Sequence, residues 1–287
     1  MNPIPWWQAV TPHADVRDGR IDESLFAASL EGAVRGTAPD EYTKADVFFH
    51  KTYLTEGLRS LLTKLLRQVA GVAAANPVAT LQTSFGGGKT HTELAIYHLL
   101  AHPDASLQVD QVRELVEAAG LSRPPACRVI VMSGVDINPL GRKTVEGLHI
   151  NTLWGEMAYQ LGGAPAYAAV AANDEKLVSP GVADLTKLLE VYGPAVILLD
   201  ETLHYVDKVS QLVGAAGNLA DNTVAFLREM TDAVRTAPRN MMVVSLTASS
   251  LEQLSSDAMH WLDHLNQQVA REDTKHTPVE RTEVHDI

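Results

Sequence analysis

Two short stretches hold residue types that could do chemistry on a polyphosphate. One is Thr83-Ser84-Phe85-Gly86-Gly87-Gly88-Lys89-Thr90; the other is Asp200-Glu201, which ends the apolar run "AVILL". A loop that grips phosphate turns backbone N–H groups inward around an anion, and glycine reaches the positive φ this needs without steric cost. A cation must meet the outer phosphates, which suits Lys89, and a hydroxyl must reach a magnesium ion, which suits Thr90. Asp200 is placed to hold that ion's hydration shell, and Glu201 to orient and deprotonate a water attacking the γ-phosphate. Thr83 stands where the pattern G-x-x-x-x-G-K-[ST] has its first glycine. Taken singly, each stretch has a plainer reading: a glycine turn that precedes a lysine, and a strand end with a capping aspartate and a solvated glutamate.

The elements around them favour the chemical reading. "VATLQ" is a candidate strand before the glycines, and a helix is expected from Lys89 to about Leu100, stopping before Pro103. "CRVIVMSG", "PAVILLDE" and "NMMVVSLTAS" read as further strands, the first of the central, buried kind. Between them the apolar spacing predicts helices: one pattern from Phe48 through Leu58, Leu61, Leu62, Leu65, Leu66 and Val69 to Gly71, then Val109–Ala119, Thr152–Leu161, Asp184–Val191, Asn218–Thr236 and "SSDAMHWLDHLNQQVAR". A short helix is expected near "DESLFAASLEGAV". Apolar strands alternating with helices imply a parallel sheet covered on both faces.

The expected fold is therefore α/β, a three-layer P-loop NTPase of the additional-strand, AAA+-like class, with a parallel central sheet and an N-terminal helical extension. Residues 1–45 read as an arm and 46–287 as the P-loop ATPase domain. In that architecture another strand separates the Asp200-Glu201 strand from the glycine loop, and "MMVVSLTAS" lies beside the loop's strand. Its hydroxyls, Ser245 ahead of Thr247, then fall where such ATPases place a γ-phosphate sensor; capping the next helix is the competing role. Arg271 occupies a place where a trans-acting arginine finger could stand, against the plainer role of a surface loop arginine.

Composition bounds the rest. The single cysteine, Cys127, excludes an internal disulfide framework and reads as a buried, inert thiol. A net charge of −12 argues against an autonomous DNA-binding module but not against nucleotide binding, which uses local backbone donors. No apolar run is long enough to span a bilayer and "MNPIPWWQAV" has no leader pattern, so the chain reads as cytosolic. Trp6 and Trp7 are expected to anchor the arm. His260 and His264, with Asp257 and Asp263, have a metal-capable spacing but no third ligand, and read as a solvated helix face.

"PWWQAVTPHADV", "FFHKTYLTEGLRSLL", "LQTSFGGGKTHTELAIYHLL", "NTLWGEMAYQLGG" and "ILLDETLHYV" together resemble the bacterial and archaeal ATPases of domain of unknown function 499. The similarity runs over nearly the whole chain and includes the T-x-F-G-G-G-K-T-H loop, which makes Thr83 a family variant. The resemblance implies an ATP- and Mg²⁺-dependent, AAA+-like ATPase found beside methylases and helicases in anti-phage defence. On that pattern Phe85, Gly86, Gly87, Gly88, Lys89, Thr90 and His91 form the nucleotide site, with Thr90 and Asp200 on the metal and Glu201 on the water. It also implies a longer protein, of which this is the N-terminal ATPase portion without its lid. Thr202 stands where the family commonly has a bulky residue.

Three functions follow as expectations. The first is an Mg²⁺-dependent ATPase, a motor or switch with defence-complex partners, possible homo-oligomers, only indirect DNA contact and no membrane. The second is an ATP-sensing scaffold with little turnover. The third, a small-molecule kinase, has no use for Glu201 beside Asp200. ATP over GTP rests on the family and on the absence of an N-K-x-D motif; Tyr53 and Phe49 could stack on adenine or pack in the core.

Overall fold

The computed structural model describes residues 17, 28–72, 76–82, 88–246, 259, 263 and 275–276. The first helices are α1 (Leu30–Arg35), α2 (Asp40–Thr43), α3 (Ala45–Lys51) and α4 (Glu56–Ala70), followed by β1 (Val78–Gln82). Then come α5 (Lys89–Ala101), α6 (Pro103–Ser106), α7 (Asp110–Ala118), β2 (Arg128–Ser133) and a small hairpin, β3 (Arg142–Lys143) with β4 (His149–Ile150). The second half holds α8 (Leu153–Ala168), α9 (Ala171–Lys176), α10 (Val182–Tyr192), β5 (Ala195–Asp200), α11 (Thr202–Lys208), the two-residue strands β6 (Val213–Gly214) and β7 (Gly217–Asn218), α12 (Leu219–Thr236), β8 (Met241–Leu246) and β9 (Lys275–His276).

Five strands form one sheet in the order β2-β5-β8-β1-β9. Every pairing in it is parallel, with Leu81 opposite Ser245 and Ser133 opposite Asp200. The expected order is met: β8 lies between β1 and β5. One detail differs. β2 is an edge strand among the described residues, although its last four residues are buried. An apolar run reports two covered faces, not a central place in the sheet.

Those faces divide the core in two. Val78, Ile130, Met132, Ile197, Leu199, Met242 and Val244 pack against α8, α10, α11 and α12. The alternate residues Ala79, Leu81, Val131, Val196, Leu198 and Val243 pack against α1, α3, α4, α5 and α7. Period-2 side-chain alternation thus produces helices on both faces of the sheet. β5 is buried at every position, which is why its sequence has no polar break before Asp200.

Local chemistry sets the helix limits. The helical pattern from Phe48 is two helices rather than one: α3 ends at Lys51, and Thr55 starts α4 by accepting from the Leu58 N–H. A threonine N-cap stabilises a helix start by about 1 kcal/mol. Gly71 closes α4 in the left-handed conformation at φ 74°. Asn218 and Thr152 cap α12 and α8 in the same way as Thr55. The arm helix α1 buries Leu30 and Ala33 in the core shared with α5. Trp6, Trp7 and nearly all of the last expected helix lie outside the described residues; Met259 and Asp263 are helical and exposed.

A histidine marks the junction of the extension with α5. His98 is fully buried, its Nε2 2.8 Å from the Tyr42 carbonyl and its ring 5.1 Å from that of Phe48. Its Nδ1 has no partner among the described residues. Burial lowers its pKa from 6.5 to about 4, against a raising effect from the Tyr42 carbonyl; His102 and His91 lower it further. The unfolded chain takes up this proton first, so the contribution is complete above about pH 6.5 and is lost as pH falls toward about 4. Urea unfolding between these limits is expected to show on the order of 3 kcal/mol lost, and His98→Phe is expected to flatten that dependence.

Candidate active site at the carboxyl edge of the sheet

In a parallel α/β sheet, ligands bind outside the carboxyl ends of the strands. Lys89, Asp200, Glu201 and Ser245 are all brought to that edge. β1 runs into the glycine segment, and α5 begins at Lys89 behind Gly88, which is left-handed at φ 78° and ψ 15°. A side chain would be strained at Gly88, so glycine here has a backbone reason. α5 points its N-terminus, the positive end of its dipole, at the same edge.

At the end of β5, Asp200 is buried and its Oδ1 accepts a 2.5 Å hydrogen bond from the Ser245 hydroxyl. The same hydroxyl accepts from the Glu201 N–H at 3.2 Å. Ser245 is thus tied to the acid pair, and this bond across neighbouring strands fixes the Asp200 carboxylate. Glu201 itself is left-handed, at φ 46° and ψ 35°, and forms the N-cap of α11. Its side chain is 33 % exposed, with His204 Nε2 at 3.8 Å from Oε2. A non-glycine residue here costs about 1–2 kcal/mol, and such strain concentrates at functional sites.

Gly134 explains how the turn at Glu201 fits. A Cβ on Gly134 would lie 2.1 Å from the Glu201 carbonyl oxygen and 2.9 Å from Thr202 Cα. Its N–H donates to the Asp200 carbonyl at 2.8 Å. Lys208 Nζ donates to the Gly134 carbonyl at 2.9 Å and to that of Val135, holding α11 against this segment. Gly134→Ala is expected to displace the Glu201 turn, costing about 1–3 kcal/mol of stability. Thermal unfolding checks this; an alanine variant as stable as wild type would contradict the close approach.

Glu93, which sequence reasoning passed over, belongs to the same place. It lies one turn beyond Lys89 on α5 and is wholly buried. Burial first, then the charges of Asp200 and Glu201, push its carboxyl well above the ordinary 4.5, while Lys89 pulls the other way. It lies close enough to Asp200 to interact, yet neither oxygen attains hydrogen-bond geometry with any group among the described residues. A signal was present in "ELAIYHLL": α5 is buried nearly all round, so an acid in it must point inward.

Other expected residues are distributed differently. Thr90 is partly exposed in the first turn of α5. The His91 ring is engaged by α3 and its C-cap: its Nε2 is 2.8 Å from Thr52 Oγ1 and its centroid 4.6 Å from that of Phe48. Phe49 is fully buried, so it is a core residue and not an adenine platform; Tyr53 is 52 % exposed. Phe85, Gly86, Gly87, Thr247, Arg271, Asp257, His260 and His264 lie outside the described residues. Cys127 is partly buried and its thiol is pushed up to about 12, chiefly by burial, as an inert thiol should be.

A family model described as the DUF499 N-terminal domain matches residues 8–276. The chain belongs to the DUF499 family. No curated protein and no solved structure matches it. The DUF499 match covers both the glycine segment and the Asp200-Glu201 turn, so the two lie within one family domain. No described helix of this DUF499 chain is long and apolar enough to cross a membrane.

The site's donors suit a hard cation held jointly with a ligand. Among the described residues no group of three His, Cys, Asp or Glu side chains could hold a metal ion by itself. Thr90, Asp200 and the orphaned Glu93 carboxyl offer oxygen only, and Mg²⁺ is typically held by one or two carboxylates together with substrate phosphates. The residues present therefore fit a magnesium–nucleotide pair.

Proposed function

We propose that this DUF499 chain is a P-loop ATPase of the additional-strand, AAA+-like class that hydrolyses ATP with Mg²⁺. One observation carries the reading: β8 separates the strand entering Gly88-Lys89-Thr90 from the strand ending in Asp200-Glu201, and both sets lie at the carboxyl edge. A lysine and helix N-terminus on one side, with an acid pair on the other, suit a polyphosphate and its attacking water.

Each residue has a role in that scheme. The loop Phe85–Gly88 and the start of α5 cradle the phosphates, and Lys89 neutralises the outer ones. Thr90 and Asp200 hold Mg²⁺, with Asp200 oriented by Ser245. When bound, Mg²⁺ supplies charge neutralisation at the β- and γ-phosphates. Glu201 orients the water and accepts its proton. Ser245 links Asp200 to the Glu201 backbone and so joins the metal side to the water side. Arg271, in this scheme, serves a neighbouring copy's site. The cellular setting is a motor or switch in a DNA-related anti-phage complex, with methylase or helicase components as partners, in the cytoplasm.

A second reading, an ATP-sensing scaffold, is favoured by one feature: His91 is held by Thr52 and Phe48, which couples the loop helix to α3. Phosphate release from ATP, measured at increasing protein concentration with and without Mg²⁺, separates the two. The ATPase reading expects Mg²⁺-dependent release, with turnover per chain rising with concentration if Arg271 acts in trans. Saturable ATP binding with no release would replace it by the scaffold.

A further inference from the structure

We infer that Glu93 is a further residue of the divalent-cation site, a buried carboxyl that takes up the hydrated cation together with Asp200. The inference rests on the nucleotide-site reading and deepens it.

A carboxyl removed from water without a partner costs several kcal/mol. The position is otherwise suited to an apolar side chain, since Leu94, Ala95 and Ile96 beside it are all buried. An acid there needs a reason: among the described residues neither oxygen attains hydrogen-bond geometry, although Asp200 lies within interaction range. Its charged surroundings are Asp200, Glu201 and Lys89, all at the carboxyl edge. The charges of Asp200 and Glu201 both bear on Glu93, with that of Lys89 to offset them, and like-charge repulsion of this kind is relieved when a divalent cation enters. Asp200 has one oxygen committed to Ser245, which limits what it can offer the cation alone. Glu93 is on the same helix as Lys89 and Thr90, so in this reading about one helix turn carries the contacts to both phosphate and cation.

The test uses the full chain at constant pH, with ADP and Mn²⁺ as probes and free Mn²⁺ read by paramagnetic resonance. Glu93→Gln is expected to weaken Mn²⁺ binding in the presence of ADP by about 10–100-fold, the usual effect of losing a residue around a metal site. Metal-free ADP affinity is expected to stay within about twofold, and the apo variant to unfold at or above the wild-type temperature, because a buried unpartnered acid has been removed. Glu93→Asp, which keeps the charge on a shorter stem, is expected to fall between. An unchanged Mn²⁺ affinity in Glu93→Gln overturns the inference and leaves the nucleotide site standing. So does a variant that unfolds earlier and loses ADP and Mn²⁺ together, since that is a structural role. Wild-type protein that binds no ADP overturns both.

Discussion

Replacing Glu201 with Gln is expected to lower ATP turnover by about 10²–10⁴-fold and to leave ATP binding unchanged, the range for losing a positioned general base. Glutamine keeps the shape of the side chain and can occupy the same left-handed turn, whose N–H still reaches Ser245. What it loses is basicity. Steady-state phosphate release together with equilibrium ATP binding reads both halves of the prediction. Turnover equal to wild type would make Glu201 a solvated turn residue. The left-handed conformation sharpens the test: Glu201→Gly should unfold at a higher temperature, by up to about 1 kcal/mol, while losing turnover to the same extent. Stability gained with activity lost is what strain held for function predicts.

The second large effect is on binding. Lys89→Ala is expected to weaken ATP affinity by about 10²–10³-fold, from the roughly 2–5 kcal/mol lost when a desolvated charge contact to phosphate is removed. Lys89 opens α5 behind the left-handed Gly88, so the helix N-terminus survives the substitution and supplies residual anion binding. The loss should therefore be large but not complete, and the apo stability should change little. Fluorescent-nucleotide titration measures it. An affinity within about twofold of wild type would return the glycine segment to a turn that precedes a lysine.

Much of this architecture was legible because the strands are short, apolar and bounded by glycine or acid. "VATLQ" is β1 residue for residue, and the strands ending at Ser133 and Asp200 stop where the first polar side chains appear. Sheet order was also accessible, since the acid pair fits the additional-strand arrangement, in which the following strand lies between the two. What remained hidden depends on distance in three dimensions. The break between α3 and α4 turns on one threonine cap inside a continuous apolar pattern. The need for glycine at 134 comes from a carbonyl 67 positions later in the chain, at Glu201. Phe49 and Tyr53 look alike in sequence, yet one lies in the core and the other faces solvent. Glu93 was overlooked for the opposite reason: its apolar neighbours marked the helix as core, and the single acid within it received no reading of its own.

The central claim is that the carboxyl edge of the sheet, between α5 and the Asp200-Glu201 turn, is a magnesium–nucleotide site. A crystal structure grown with ADP and Mn²⁺, using the anomalous signal of manganese, tests it most directly. The account predicts a diphosphate at the N-terminus of α5 and one manganese peak between Thr90 and Asp200. ADP bound elsewhere, or an empty α5 N-terminus at saturating ADP, would contradict it.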